Sequence, residues 1–466
     1  MSNYNSVRDN IIFQEKLDSL YNRVFVVSAY SGITDKLLEH KKTSKPGIYA
    51  LFAEHISDKE WLTALNTLES EFVAVNSELF GTGELLEEAN EFIAERISDA
   101  RKCLCDIHSL CTHGHFSLEA HLETVREMLA SIGEAHSAWN TAKLLTRDGV
   151  NAVYVDLTGW KTSSHVPLDQ RIHAAFESID LSRQLPIVTG YAHSEDGLMS
   201  SFDRGYSEMT FSRLAVLTKA DEAIIHKEFH LSSADPNLVG KNNVVPIGRT
   251  NYDVADQLAN LGMEAIHPKA AKGLRQNNIP LRVKNTFEPE HTGTLITQDY
   301  VSSKPCVEII AGCKGVYALE LFDQDMAGNV AGYDQKILEV LKNHKAHLIS
   351  KDINANTITH YLSIDEDLVK IIRGELKSIF CDADINYKRI AIVSAIGSDM
   401  QIPGILAKSV QAVAQRNVCV LAIHQSMRQV DVQFIVNECD YDETMKALHE
   451  SLVEIHDHGR AICLVS

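Results

Sequence analysis

The chain has 466 residues, a length that suits about three domains. With 45% hydrophobic and 23% charged residues it has the composition of a folded globular protein. A net charge of −19 excludes nucleic acid and anionic membrane as main partners, though a local basic site can still take an anionic substrate.

No apolar run approaches ~20 residues, so no segment reads as a membrane span. Met1-Ser2-Asn3-Tyr4 is polar and lacks a leader pattern. Nine scattered cysteines, an odd number, point to a reducing compartment and a cytoplasmic protein.

Taken in order, Ser2 to Leu20 predicts a helix, with Val7, Ile11, Ile12 and Leu17 near helical spacing. Val24-Phe25-Val26-Val27 predicts a buried strand. The polar loop Ser28-Ala29-Tyr30-Ser31-Gly32-Ile33-Thr34-Asp35 follows, then another helix. Loops at the carboxyl ends of such strands are where α/β proteins bind ligands, which makes Ser28 and Thr34 candidate donors. From about 41 to 127 the pattern is helical, an excursion from the α/β core. Gly133-Glu134 predicts the opening of a further helix running to Gly149. A carboxylate in that first turn is favoured by the helix dipole, and it is also a candidate contact for a substrate amine.

Ala152–Val155 and Leu185–Thr189 are the next expected strands. The second leads into Asp203-Arg204-Gly205-Tyr206-Ser207-Glu208-Met209-Thr210, a loop that opens a helix. Such a junction presents unpaired N–H groups to an anion. Gly205 permits close approach, Ser207 is a good N-cap, and Arg204 offers a planar fork for a carboxylate or phosphate. A strand at Glu222–His226, a turn at Asp235-Pro236-Asn237, a helix from Tyr252 to Leu261 and a strand from Ile279 to Val283 continue the alternation. Alternation over ~300 residues implies a mostly parallel sheet sandwiched by helices.

Beyond about residue 305 the order changes to strand, helix, two strands, helix, and it recurs ~75 residues later. Two such βαββα patterns predict tandem ferredoxin-like modules. One cluster, Cys103, Cys105, His108, Cys111, His113 and His115, has the residue types of a zinc site. Its spacing is wrong for one, and positions two apart on a helix do not face together, so no metal site is assigned.

These motifs together resemble the aspartate kinases, members of the amino acid kinase family that carry two C-terminal ACT domains. The matching pieces are Val26-Val27-Ser28-Ala29 with Gly32-Ile33-Thr34-Asp35; Gly133-Glu134; Pro186 to Tyr191; Arg204-Gly205 with Ser207; Ala234-Asp235-Pro236; Gly262 with His267-Pro268; Asn278-Ile279-Pro280 with Lys284-Asn285-Thr286-Phe287; and Gly293-Thr294. Their order and spacing carry the resemblance. It implies a kinase domain at 1–300 with a helical insert at about 41–127, and ACT domains at 305–380 and 381–466. It also implies transfer of the ATP γ-phosphoryl group to the side-chain carboxylate of L-aspartate, with Mg²⁺, in a homodimer or higher homo-oligomer formed through the ACT domains.

By position the resemblance gives Arg204 a substrate carboxylate and Glu134 the substrate amine. Ser28, Thr34, Gly205 and Ser207 complete the aspartate side, with Arg204 and Ser207 closest to the chemistry. His226, Lys227, Ser232, Asp235, Pro236 and Asn237 fall on the nucleotide side. A zwitterion with an extra carboxylate calls for this mixture of one anion, one bidentate cation and neutral donors.

There are departures. The family begins with a strand ending in Lys-Φ-Gly-Gly-Thr-Ser. This sequence begins after that point, and a start set about ten residues too late is expected, since a lost strand would leave an unpaired sheet edge. Glu208 replaces Asp, His226-Lys227-Glu228-Phe229-His230 replaces Thr-Asp-Val-Asp-Gly, and Glu264 replaces a lysine. The aspartate side thus matches and the nucleotide side is remodelled, a pattern that resembles the aspartokinases associated with ectoine synthesis. In the second module, His424-Gln425-Ser426-Met427-Arg428 replaces the usual serine-rich effector stretch, so weak or absent sensitivity to lysine and threonine is expected. The alternatives are another amino acid kinase, acting on glutamate or acetylglutamate, and a catalytically impaired homologue that binds an amino acid through its ACT modules.

Overall fold

The computed structural model describes residues 4–13, 20–40, 43, 45–54, 58–113, 115–162, 166–195, 197–198, 205–263 and 265–453. It divides into two compact units, residues 1–223 with 269–279 and residues 224–268 with 280–466. Among the described residues no helix is long and apolar enough to cross a membrane.

The first unit opens with α1 (Tyr4–Val7), which continues as a π-helix over Arg8–Phe13. The helix expected from Ser2 to Leu20 is therefore seen only in this part; 14–19 lie outside the described residues. β1 (Phe25–Val27) is followed by α2 (Ile33–Leu37) and α3 (Ile48–Ala53). The helical excursion is then α4 (Asp58–Phe80) and α5 (Glu84–Cys111). Trp61, Leu65, Leu68 and Phe72 on α4 and Ile93, Ile97, Ala100 and Leu104 on α5 are buried in one core. Both sets advance in steps of three and four residues, which places each on one helix face. Gly81 and Gly83, at φ 71° and 115°, make the reversal between the helices that a side chain would strain.

α6 (Glu119–Arg147) is the centre of this unit, and every residue from Leu129 to Ala142 is buried. The sequence predicts a helix start at Gly133, since glycine costs about 1 kcal/mol inside a helix. The helix instead runs through it. A Cβ at Gly133 would lie 2.8 Å from Ile33 Cγ2 and 2.9 Å from Ala29 Cβ, so the missing side chain is what lets the loop after β1 close on α6. β2 (Ala152–Val155), α7 (Leu168–Phe176), β3 (Leu185–Thr189) and α8 (Tyr206–Leu217) complete the run. The strands form a parallel sheet in the order β1-β3-β2.

The next elements are β4 (Ala223–Lys227), α9 (Pro236–Val239), β5 (Arg249–Asn251), α10 (Tyr252–Asn260), α11 (Pro268–Gln276), β6 (Leu281–Asn285) and β7 (Thr294–Thr297). α11 belongs to the first unit, where Ser212 on α8 donates to the Ala270 carbonyl at 2.7 Å. The other elements lie in the second unit, with sheet order β4-β6-β7-β5. β5 and β7 are parallel, but β6 and β7 are antiparallel. The link from Asn285 to Thr294 is too short for the crossover that a parallel pair requires. β5 and α11 are absent from the sequence reading: β5 is short, and α11 shows little more than its N1 proline.

The remaining elements match the repeated pattern: β8 (Ile309–Phe322), α12 (Val330–Asn343), β9 (His347–Ile353), β10 (Thr357–Ser363) and α13 (Glu366–Ile379), then β11 (Asp384–Ile396), α14 (Ile405–Gln415), β12 (Val420–Gln425), β13 (Asp431–Asn437) and α15 (Tyr441–Leu452). They build one antiparallel sheet in the order β12-β13-β11-β8-β10-β9. A register shift opposite Lys314-Gly315, with Gly315 at φ 74°, divides β8. Ile310 packs into a core with Val393, Phe434 and Leu448, whereas Leu319 and Leu321 join Ile337, Ile372 and Ile385. Each module thus borrows half of a long strand. The two edge strands also meet, since His424 Nδ1 lies 3.0 Å from Ser350 Oγ and its Nε2 2.8 Å from Asp352 Oδ1. Val254, Leu258 and Leu261, in and just after α10, share a core with Ile309, Ile349, Ile392 and Ile435 of that sheet.

Candidate functional site

The carboxyl ends of β1 and β3 are joined by a bond from Gly190 N to the Val27 carbonyl, 3.0 Å. Behind them stands Glu134, in the middle of α6 and only 2% exposed. It is therefore not the dipole-favoured first-turn carboxylate that the sequence suggests. The Ser207 hydroxyl donates to its Oε1 at 2.6 Å. Among the described residues its Oε2 is buried with no hydrogen-bond partner. Burial raises the Glu134 pKa from an ordinary 4.5 to about 8, against the opposing pull of the Ser207 hydroxyl and the backbone amides of Tyr191 and Ala29. Among the described residues no cationic side chain pairs with this buried carboxylate, and an ammonium group would supply that charge.

Two glycines shape this place. A Cβ on Gly190 would stand 2.7 Å from Glu134 Oε2 and 2.8 Å from Ser207 Oγ. Gly205, at φ 90°, is the N-cap of α8, with no side-chain cap. Ser207 is not the N-cap that the sequence suggests: it is the second residue of the helix, and its hydroxyl is spent on Glu134. The Gly205 carbonyl accepts from the Glu208 and Met209 amides at 3.0 and 3.2 Å, which closes the first turn of the helix.

Ser28 is exposed in the loop directly after β1. Its carbonyl accepts from the Ser137 hydroxyl at 2.7 Å, which ties this loop to α6 one turn beyond Glu134. Thr34 is the second residue of α2, partly exposed; Ile33 and Leu37 of that helix lie in the core shared with α6. Glu134, Ser207, Gly205, Ser28 and Thr34 all belong to the first unit. Arg204 lies outside the described residues, as does Glu264.

Two supports have no local sequence signal. Tyr191, whose amide faces Glu134, donates its hydroxyl to the buried Glu127 Oε2, two turns before Glu134 on α6. His136, fully buried, shares a network with Asn76 (2.7 Å) and Asn140 (3.1 Å) and packs edge-on to Tyr30 and Phe72. Burial pushes its pKa down to about 3, so it stays neutral.

The nucleotide-side candidates all lie in the second unit. His226 and Lys227 end β4, and the Thr286 amide and hydroxyl both donate to the Lys227 carbonyl, at 2.9 and 3.0 Å. The Ser232 hydroxyl donates to the Ala234 carbonyl at 2.9 Å. Asp235 caps α9 by accepting from the Asn237 amide at 2.8 Å, with Pro236 at the first helical position. Cys103, Cys105, His108 and Cys111 all lie on α5. Among the described residues no group of three or more His, Cys, Asp or Glu is arranged to hold a metal ion, and the eight described cysteines are free thiols.

Residues 9–285 match the model of the amino acid kinase family, and residues 393–452 match an ACT domain model. The aspartate kinase Ask_Ect of Stutzerimonas stutzeri is 53% identical over 99% of this chain and 97% of its own length. The aspartokinase of Candida albicans is 24% identical over 96% of this chain and 87% of its own. Among solved structures, E. coli aspartokinase III in complex with lysine and aspartate superposes with a TM-score of 0.71 at 17% identity, covering 97% of this chain and 96% of that one. Its complex with aspartate and ADP gives 0.70 at 17% identity, covering 96% of both chains; these two likenesses speak for the fold. The family model spans more than half of the sequence, and a near-full-length relative shares more than half of its residues, so the chain belongs to the amino acid kinase family, in its aspartate kinase branch.

Proposed function

We propose that the protein is an ATP-dependent aspartate kinase in which Glu134 receives the α-ammonium group of L-aspartate. The observation that carries this reading is the buried Glu134 carboxylate, bonded to Ser207 on one oxygen and, among the described residues, without a hydrogen-bond partner on the other. An ammonium placed there would supply the missing partner and draw the Glu134 pKa down from about 8. Arg204 would hold a substrate carboxylate in the bidentate manner of guanidinium, and Ser28, Thr34 and the backbone at Gly205 would supply neutral donors.

In the reaction, an oxygen of the aspartate side-chain carboxylate attacks the γ-phosphorus of ATP. A P–O bond forms, the bond to the β,γ-bridging oxygen breaks, and ADP leaves with its electron pair. No covalent enzyme intermediate is needed, so positioning and electrostatics do the work. His226, Lys227, Ser232, Asp235, Pro236 and Asn237 are the proposed nucleotide contacts. Mg²⁺ would accompany ATP and neutralise phosphate charge, ligated mainly by phosphate oxygens, as this ion commonly is.

We further propose the partition into a kinase domain at 1–300 and ACT domains at 305–380 and 381–466, self-association through the ACT modules, a cytoplasmic location, and membership of the ectoine-associated subset. The ectoine assignment is supported by the identity to Ask_Ect. Hydroxylamine trapping tests the activity: L-aspartate and ATP should yield aspartyl hydroxamate, and glutamate and N-acetylglutamate should not. No hydroxamate, with amino acid binding retained, would favour a catalytically impaired regulatory homologue instead.

A further inference from the structure

We propose that Ser233 and His449 are positioning residues which hold the nucleotide-side segment 232–237 in place from the last helix of the second ACT module. The proposal rests on the nucleotide-side reading given above.

The stretch Leu231-Ser232-Ser233-Ala234-Asp235 runs between β4 and α9 outside any named strand or helix, so its backbone groups need partners from elsewhere. Two of these groups belong to Ser233. Its amide donates to the Val245 carbonyl at 2.9 Å, and its carbonyl accepts from the Ile310 amide, at the start of β8, at 2.8 Å. Its hydroxyl oxygen accepts from the Val245 amide at 3.1 Å. The same hydroxyl is hydrogen-bonded to His449 Nε2 on α15, 3.0 Å away. Ser233 is fully buried and His449 8% exposed. Burial holds the His449 pKa below its ordinary value.

Packing ties the same two elements together. Ala234 is buried in one core with Met445, Leu448 and Leu452 of α15. The residue after it, Asp235, is the cap that aims the Asn237 amide. A shift of α15 would thus move the backbone one and two residues away from the proposed nucleotide contacts. An ordinary buried Ser–His bond would only add stability. A positioning bond must act on one substrate and not on the other.

The test uses the full-length enzyme with Ser233→Ala, His449→Leu and the double variant, beside Ser233→Thr and His449→Gln, which keep a hydrogen bond. The expected result is a rise in KM for MgATP of about tenfold in each single variant, as for loss of one buried hydrogen bond. KM for L-aspartate stays within about twofold, the double variant is no worse than either single one, and the conservative variants are largely rescued. Equal rises in both KM values, an unchanged KM for ATP, or an additive double variant would overturn the proposal.

If the variants fail to fold, hydrogen exchange on the wild-type protein decides. Adding MgADP should protect 232–237 and 445–452 together; protection of 232–237 alone overturns the link. Protection by MgADP elsewhere, with none at 232–237, overturns the nucleotide-side reading itself and removes this proposal with it.

Discussion

Replacing Glu134 by glutamine separates what the site costs the fold from what it gives the substrate. In the free protein, burial holds the Glu134 pKa at about 8 against an ordinary 4.5. The folded state therefore keeps a proton that the unfolded chain releases above about pH 4.5. For such a raised acid the stabilising contribution is complete below the unfolded value and is lost as pH rises toward the folded one. The slope is about 1.4 kcal/mol per pH unit. Across the whole window the loss amounts to about 5 kcal/mol. Glu134→Gln has no such proton, and its amide keeps a partner for Ser207. Urea unfolding of both proteins from pH 5 to pH 8 should show the variant gaining on the wild type by about 1.4 kcal/mol per pH unit, up to 3–5 kcal/mol at pH 8. Saturating L-aspartate should close that gap for the wild type, because its ammonium stabilises the ionised carboxylate, and should do little for the variant. A stability difference constant from pH 5 to pH 8 would refute the reasoning, since it would mean that Glu134 titrates alike in both states.

Three further outcomes are expected. Gly190→Ala places a Cβ 2.7 Å from Glu134 Oε2 and 2.8 Å from Ser207 Oγ; KM for L-aspartate should rise about 10–100-fold with KM for ATP unchanged, and equal rises in both would speak against a local effect. His136 has its pKa depressed to about 3 from an ordinary 6.5, so its contribution is complete above pH 6.5 and is lost as pH falls toward 3; His136→Gln should move the acid-unfolding midpoint, followed by far-UV circular dichroism, to lower pH, and an unmoved midpoint would contradict this. Millimolar lysine or threonine should inhibit turnover weakly or not at all, and inhibition equal to that of an ordinary lysine-sensitive enzyme would contradict the reading of His424 to Arg428.

The elements most legible in the sequence are those fixed by local pattern. The repeated order of strand, helix, two strands and helix in the last third was readable because it occurs twice. The stripes Trp61-Leu65-Leu68-Phe72 and Ile93-Ile97-Ala100-Leu104 declare α4 and α5 in the same way. What was not legible depends on contacts distant in sequence. Gly133 looks like a break until Ile33 and Ala29 are seen against it. Ser207 looks like a cap until Glu134 takes its hydroxyl. The division of β8 between two cores requires a register shift that no local signal announces. Of the candidate site, Glu134, Ser207, Gly205, Ser28 and Thr34 were nameable from motif order, but the support from Glu127 through Tyr191 was not. The tie from Ser233 to His449 spans 216 residues and leaves no pattern in either segment.

The most direct measurement is the kcat/KM for L-aspartate, followed as hydroxamate formed with ATP, in the wild type and in Glu134→Gln. If Glu134 receives the substrate ammonium, the wild type is active and the variant loses about 2–4 kcal/mol of transition-state stabilisation, a fall of roughly 30- to 1000-fold. A variant that keeps the wild-type kcat/KM would contradict the account.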